Sequence, residues 1–258
     1  MPHQQKPLPP EASGYRGTRP LKPRFWFRFL IESLGTRRVN PLVSARMRDE
    51  TLAQINGREN LPSSGPFILA VNHFSGRAAF DTVAAVLSAV SVTRQDALST
   101  ITIIVGQRRV IVASPFQRMM IALGRKIVDF VFRRWRAHVV RIPLKNPGPD
   151  LAGLRSWRER RQPVFVFPEG RAGVSFGSIR RGAGRWLAAL DLPVIPVGVW
   201  WMQDIGWTVT FGAPLEWTHR ADLLDVQLGL EMAALLPEAL ALHWRADLAR
   251  WREAHESR

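Results

Sequence analysis

Residues 57–73 read GRENLPSSGPFILAVNH, and the fold turns on how this stretch is parsed. Pro62, Ser63, Ser64 and Gly65 punctuate a turn, because Gly and Pro supply the backbone angles that turns need. Pro66 to Val71 then form a short apolar run, the pattern of a strand buried on both faces, as in a parallel sheet. That strand delivers Asn72 and His73 to its C-terminal end. Residues 81–91, DTVAAVLSAVS, predict a buried helix with Asp81 near its N-cap, and a second strand follows at Thr100 to Val105.

The alternation continues along the chain. Strands are predicted at Val139 to Ile142, Pro163 to Phe167, Val194 to Val199 and Thr208 to Phe211, with helices near Pro115 to Arg136, Leu151 to Arg160 and Gly184 to Leu190. C-terminal helices follow, broken at Pro237. Strands separated by helices imply an α/β architecture: a mixed, mostly parallel sheet with helices on both faces. Ligands of such sheets bind beyond the carboxyl ends of the strands. Two polar clusters fall there, Asn72-His73 after FILAV and Pro168-Glu169-Gly170-Arg171 after VFVF. No internal repeat is visible.

Upstream, residues 1–22 are rich in proline and polar residues and are read as a disordered basic arm. Residues 23–56 read as a short helical N-terminal segment, with FWFRFLIES at 25–33 and a second helical candidate from about Pro41 to Gln54. It either packs on the main domain or lies at a membrane interface with Trp26 and Phe27 among the headgroups. Residues 57–258 form the main domain.

Composition narrows the chemistry. The 258 residues contain no cysteine, which removes disulfides, thiolate zinc sites and a cysteine nucleophile. Lys and Arg number 36 against 21 Asp and Glu, a net charge of +15, so the partner is expected to be anionic: nucleic acid, a phosphorylated metabolite or an acidic membrane. Every long apolar segment is interrupted by Arg or Lys before the roughly 18–20 residues that a spanning helix requires. The N-terminus lacks the apolar core of a signal peptide. A cytoplasmic protein, peripheral on the inner face of a membrane, is the expectation.

The strings GRENLPSSGPFILAVNH, VFVFPEGR, the basic-glycine step Arg181-Gly182 and LPVIPVGV occur in the order and spacing of the glycerolipid acyltransferases, the lysophospholipid acyltransferase family. The resemblance spans about Gly57 to Pro237; FGAPL and AALLPEAL resemble the family's closing strand and helix. It implies acyl transfer from an acyl-thioester, on coenzyme A or acyl carrier protein, to a hydroxyl of a phosphorylated glycerol or lysolipid acceptor. No cofactor and no metal are implied; the thioester is a co-substrate. His73 matches the histidine of the family's N-H-x4-D motif, a general base suited to the task because imidazole titrates near neutral pH. At the family's aspartate position stands Ala78. The first aspartate is Asp81, giving N-H-x7-D, and it either orients His73 or caps a helix. Glu169, Gly170 and Arg171 resemble the family's F-P-E-G-T-R block, implicated in binding the acceptor phosphate, here without the threonine. Arg141 and Lys145 are the nearest candidates for the basic residue of the family's middle block. The stretch FQRMMIALGRKIVDFVFRRWR at 116–136 either packs in the core, lines an acyl groove or rests on membrane.

Two other readings compete. A pI near 11.6 and ten tryptophans fit nucleic-acid binding, but the basic residues are dispersed and no nucleic-acid motif occurs, so no nucleic-acid partner is expected. A non-catalytic lipid or acyl-thioester binding protein of the same fold is the other reading.

Overall fold

A computed structural model describes residues 15–16, 52–73, 79–107, 126, 138–143, 162–170, 173, 175–202 and 205–256. Its strands are β1 (Tyr15–Arg16), β2 (Leu52–Asn56), β3 (Ile68–Val71), β4 (Thr102–Gln107), β5 (His138–Pro143), β6 (Val164–Val166), β7 (Val194–Met202) and β8 (Gly206–Phe211). The helices are α1 (Ala79–Thr93), α2 (Ala183–Ala188), α3 (Leu224–Ala234) and α4 (Arg245–Glu256). One sheet runs in the order β2-β8-β7-β3-β6-β4-β5, with β1 attached to β7. Among the described strands, the β7–β8 and β1–β7 pairings are antiparallel. The other pairs are parallel, and β3 lies centrally between β6 and β7. The mixed, mostly parallel sheet expected from the alternation is therefore present.

Period-two alternation sends the strand residues into two cores. On one face Leu69, Val71, Phe165, Ile195 and Val197 pack with Val83, Val86, Leu87 and Val90 of α1. On the other, Ile68, Ala70, Val164, Val166 and Val194 pack with Leu187 of α2 and with Leu228 and Met232 of α3. Each buried Val, Leu, Ile, Phe or Met among them contributes about 1.5–3 kcal/mol relative to exposure. Helices thus cover both faces, and β3 reads as an unbroken apolar run because both of its faces are covered. At Gly198 of β7 a Cβ would come within 2.7 Å of the Leu235 Cβ, so only glycine lets the end of α3 lie this close to the sheet.

Two expectations need correction. The helical candidate ending near Gln54 does not reach that far, because Leu52 to Asn56 form β2, paired in parallel with β8 at the edge of the sheet. Ladder bonds to a strand about 150 residues away outweigh the weak local helical pattern of LAQIN. Within the segment expected to be a disordered arm, Tyr15 and Arg16 pair with Met202 and Trp201. The rest of that arm, FWFRFLIES, the stretch at 116–136 apart from Lys126, and the helix expected near Leu151 to Arg160 lie outside the described residues.

The N-terminal side of β3 is fastened by a residue that follows α1. Arg94 is 3% exposed. Its guanidinium donates to the carbonyls of Pro62 and Gly65, the latter at 3.1 Å, and pairs with both Asp96 oxygens at 2.8 and 2.9 Å. It also lies 5.1 Å from the centroid of the Phe67 ring. The Pro-Ser-Ser-Gly turn before β3 is thereby clamped to the C-terminal end of α1.

Candidate active site

The site begins where β3 stops. Val71 makes the last rung with Val197 of β7, and the next residue, Asn72, is fully buried. Its side-chain amide donates to the Val199 carbonyl at 2.9 Å, and its Oδ1 accepts the Val199 N–H at 2.7 Å. The side chain thus supplies the ladder bonds that the backbone would have made, satisfying the buried polar groups of β7. The backbone is released to turn away at His73.

The His73 N–H is taken up by another strand end. It donates to Glu169 Oε1 at 2.6 Å, while Oε2 of the same carboxyl accepts the Gly177 N–H at 2.8 Å. Glu169 sits in the turn after β6, where the Gly170 N–H bonds the Phe167 carbonyl at 3.1 Å and Gly170 adopts φ +63°, a conformation natural to glycine. Its side chain is 6% exposed. Burial pushes the Glu169 carboxyl up to about 8, against the pull of the two amide hydrogen bonds, which favour the charged form. One carboxyl group therefore joins the end of β3, the turn after β6 and the loop at Gly177.

The same loop is fixed from outside. The Gly173 N–H donates to the His73 carbonyl at 3.1 Å, the Phe176 N–H to Leu240 at 2.8 Å, and Trp244 Nε1 to the Gly177 carbonyl at 2.8 Å. The His73 imidazole stacks on Phe167 with centroids 4.2 Å apart and planes inclined by 24°. Phe167 in turn meets Phe165 edge-on at 5.0 Å. The imidazole is thus rigidly placed, with its backbone held at both ends and its ring laid on an aromatic face.

The expected site residues are distributed unevenly. His73, Glu169 and Gly170 are brought together. Asp81 is the third residue of α1, so it stands in the first turn of that helix. Arg141 lies on β5 opposite Val105, at the edge of the sheet. The register puts it level with the end of β3 but three strands away, about 14 Å at the usual strand spacing. Arg171 and Lys145 fall outside the described residues. Sequence reasoning missed Phe167 as the floor under the imidazole and Gly177 as the second ligand of the carboxyl. It also missed Asn72 as a ladder residue, although an Asn directly after an apolar strand is a signal for a polar group that must find buried partners. The basic-glycine step is a turn: Gly182, with φ +84°, precedes α2, whose first amides at Gly182 and Gly184 donate to the Asp225 carboxylate at 2.6 and 2.7 Å.

Residues 53–200 match the sequence model of the Acyltransferase family. The chain belongs to that family. The match contains both halves of this site, from the strand before His73 to β7, and this acyltransferase carries its histidine and its glutamate at adjoining strand ends. No curated protein matches the chain. Among the described residues, no cluster of His, Asp and Glu is arranged to hold a metal ion, and no helix of the acyltransferase is long and apolar enough to cross a membrane.

Proposed function

We propose that this acyltransferase moves a fatty acyl group from an acyl-thioester, on coenzyme A or acyl carrier protein, to a hydroxyl of a glycerophosphate or lysophospholipid-type acceptor. His73 is the general base. The imidazole takes the proton of the acceptor hydroxyl as its oxygen attacks the thioester carbonyl. The tetrahedral intermediate then expels the thiolate, which receives that proton from the imidazolium. The new C–O ester bond replaces the C–S bond, and no covalent enzyme intermediate is needed, in keeping with a chain that has no cysteine. Glu169 orders the site by holding the backbone of the base. Arg171, with Arg141 and Lys145 as further cations, is proposed to meet the acceptor phosphate. The +15 charge supports attachment to an anionic membrane surface on its cytoplasmic side.

The observation that supports this reading is that one carboxyl group, that of Glu169 in the turn after β6, accepts from the backbone of both His73 and Gly177, so that two of the strings behind the resemblance meet. The test is transfer from radiolabelled acyl-CoA to glycerol 3-phosphate, lysophosphatidate, other lysophospholipids and glycolipids, presented with anionic vesicles at low and high salt. A phosphorylated acceptor should be acylated, and His73→Ala should lower the rate by about 10²–10⁴ while the fold is kept. Wild-type turnover by folded His73→Ala would remove His73 from the mechanism. Binding of the intact acyl-thioester with no transfer to any acceptor would favour the non-catalytic reading.

A further inference from the structure

The turn that holds Glu169 is covered by a second basic residue, one that the motif resemblance does not single out. The Arg180 N–H donates to the Pro168 carbonyl at 3.0 Å, which fixes the start of this side chain against the turn. From there it crosses Gly170: a Cβ built on Gly170 would lie 3.2 Å from the Arg180 Cδ, 3.8 Å from its Cβ and 3.9 Å from Nη1. The aliphatic stem of Arg180 therefore passes over the glycine next to Glu169, with its guanidinium close by at the C-terminal edge of the sheet. The residue before it, Ile179, is buried in the core beneath α2 and α3, so the backbone that carries Arg180 is not free to swing.

The contrast with the other well-placed arginine is chemical. Arg94 spends its donors on two carbonyls and a carboxylate. Arg180 is half-buried, and among the described residues its guanidinium has no hydrogen-bond or ion-pair partner. Nor does Glu169 neutralise it: both carboxyl oxygens are engaged by backbone amides. The nearby amides at the start of α2 are likewise closed to a ligand, because Asp225 occupies them. What remains at this edge is a planar fork of donors on a restrained stem, suited to the oxygens of a phosphate group.

We infer that Arg180 binds a phosphate group of the substrates at the Glu169-Gly170 turn. The inference rests on the acyl-transfer reading for its kinetic form. Two substrates carry phosphate, the acceptor and the thioester carrier, and the experiment separates them. Arg180→Ala and Arg180→Lys are compared with wild type for KM of glycerol 3-phosphate or lysophosphatidate, KM of acyl-CoA, and kcat. Arg185→Ala, which removes an exposed charge on α2, controls for net charge.

Loss of charge-assisted hydrogen bonds to one phosphate should raise one KM about tenfold or more, with kcat changed far less and the melting temperature unchanged. A rise confined to the phosphorylated acceptor, absent for monoacylglycerol, assigns the acceptor phosphate. A rise confined to acyl-CoA, absent for an acyl-thioester of a small unphosphorylated thiol, assigns the donor. Arg180→Lys should recover part of the loss and Arg185→Ala should cause none. Unchanged KM for both substrates in folded Arg180→Ala would overturn the inference, as would an equal rise with unphosphorylated substrates. Calorimetric titration with glycerol 3-phosphate and with CoA reads the same contact without turnover. A wild-type protein that binds neither overturns it, whereas binding weakened by Arg180→Ala in a protein without transferase activity would sustain it and reject only the acyl-transfer reading.

Discussion

The backbone on either side of β3 is gripped by a buried ionisable side chain, Arg94 before the strand and Glu169 after it, and the two grips differ in how they meet the cost of burial. Arg94 holds two carbonyls and is paired with Asp96, which is 68% exposed and keeps its solvation. The arginine holds the Asp96 carboxyl below its ordinary value through their hydrogen bond. Glu169 holds two amides, and burial raises its carboxyl rather than lowering it. The first arrangement is a fastening that is content at neutral pH. The second keeps a desolvated carboxyl against the backbone of His73. Helix α1 links these ends in sequence, since it runs from Ala79 to Thr93, the residue before Arg94.

Breaking the fastened end should have the largest effect on stability. Arg94→Ala strips donors from Pro62 and Gly65 and leaves a void under the turn; it should cost about 2–4 kcal/mol in urea unfolding. Turnover per folded molecule should be retained, because the arginine lies at the other end of β3 from His73. A variant of unchanged stability, or one that stays folded but inactive, would show that the two ends are not separable in this way.

The site end should respond less to mutation and more to pH. Because the folded-state value of Glu169 is raised from 4.5 to about 8, folding favours its protonated form. Its contribution is complete below about pH 4.5 and is lost as pH rises through about 8. Asp96 works with the opposite sign: its folded-state value is lowered, so its contribution is present above its ordinary 3.8 and lost as pH falls below it. That second effect is small, because the group is exposed. In Glu169→Gln one amide N–H meets an NH2 group in place of an oxygen, a loss of about 1–2 kcal/mol at low pH, and the decline in stability between about pH 5 and 8 should flatten. Denaturant unfolding from pH 5 to 9 checks this; an equally steep decline in the variant would show that another group carries it.

The difference in legibility between the two ends has a physical cause. The apolar strand, its turn signals and the histidine at its end were readable because they are local patterns of spacing and residue type. So was the position of Glu169 beyond the end of a strand, through the FPEGR string. That its carboxyl accepts from the amides of His73 and Gly177 was not readable, since these partners are 96 and 8 residues away. Arg94 was one arginine among many in a basic chain, and nothing local distinguishes a buried clamp from a solvated charge. Strand β2 was taken as the end of a helix for a similar reason, its identity being set by β8. In each case the missing information lay in a partner distant in sequence.

The smallest effect is expected at the start of α1, where the sequence departs furthest from the N-H-x4-D pattern. Asp81 is the third residue of the helix, one helical turn beyond the position that Ala78 occupies in the family's spacing. A carboxylate in the first turn of a 15-residue helix is favoured by the free amides and the helix dipole, whether or not it reaches the imidazole. If Asp81 serves the helix alone, Asp81→Asn and Asp81→Ala should each leave kcat nearly unchanged and cost about 0.3–1 kcal/mol of stability, the worth of a carboxylate charge in the first turn of a helix. If Asp81 orients His73, Asn keeps the hydrogen bond but cannot stabilise the imidazolium, and kcat should collapse with stability intact. The expected outcome is retention of more than about a tenth of wild-type kcat in Asp81→Asn, a barrier change below about 1.4 kcal/mol. The reason lies in the grip on His73, whose backbone is already fixed by Glu169 and Gly173 and whose ring already rests on Phe167. An imidazole so held needs less from an orienting carboxylate. A thousandfold fall in kcat for a normally stable Asp81→Asn protein would mean that the site end of β3, like the Arg94 end, depends on a charged pair.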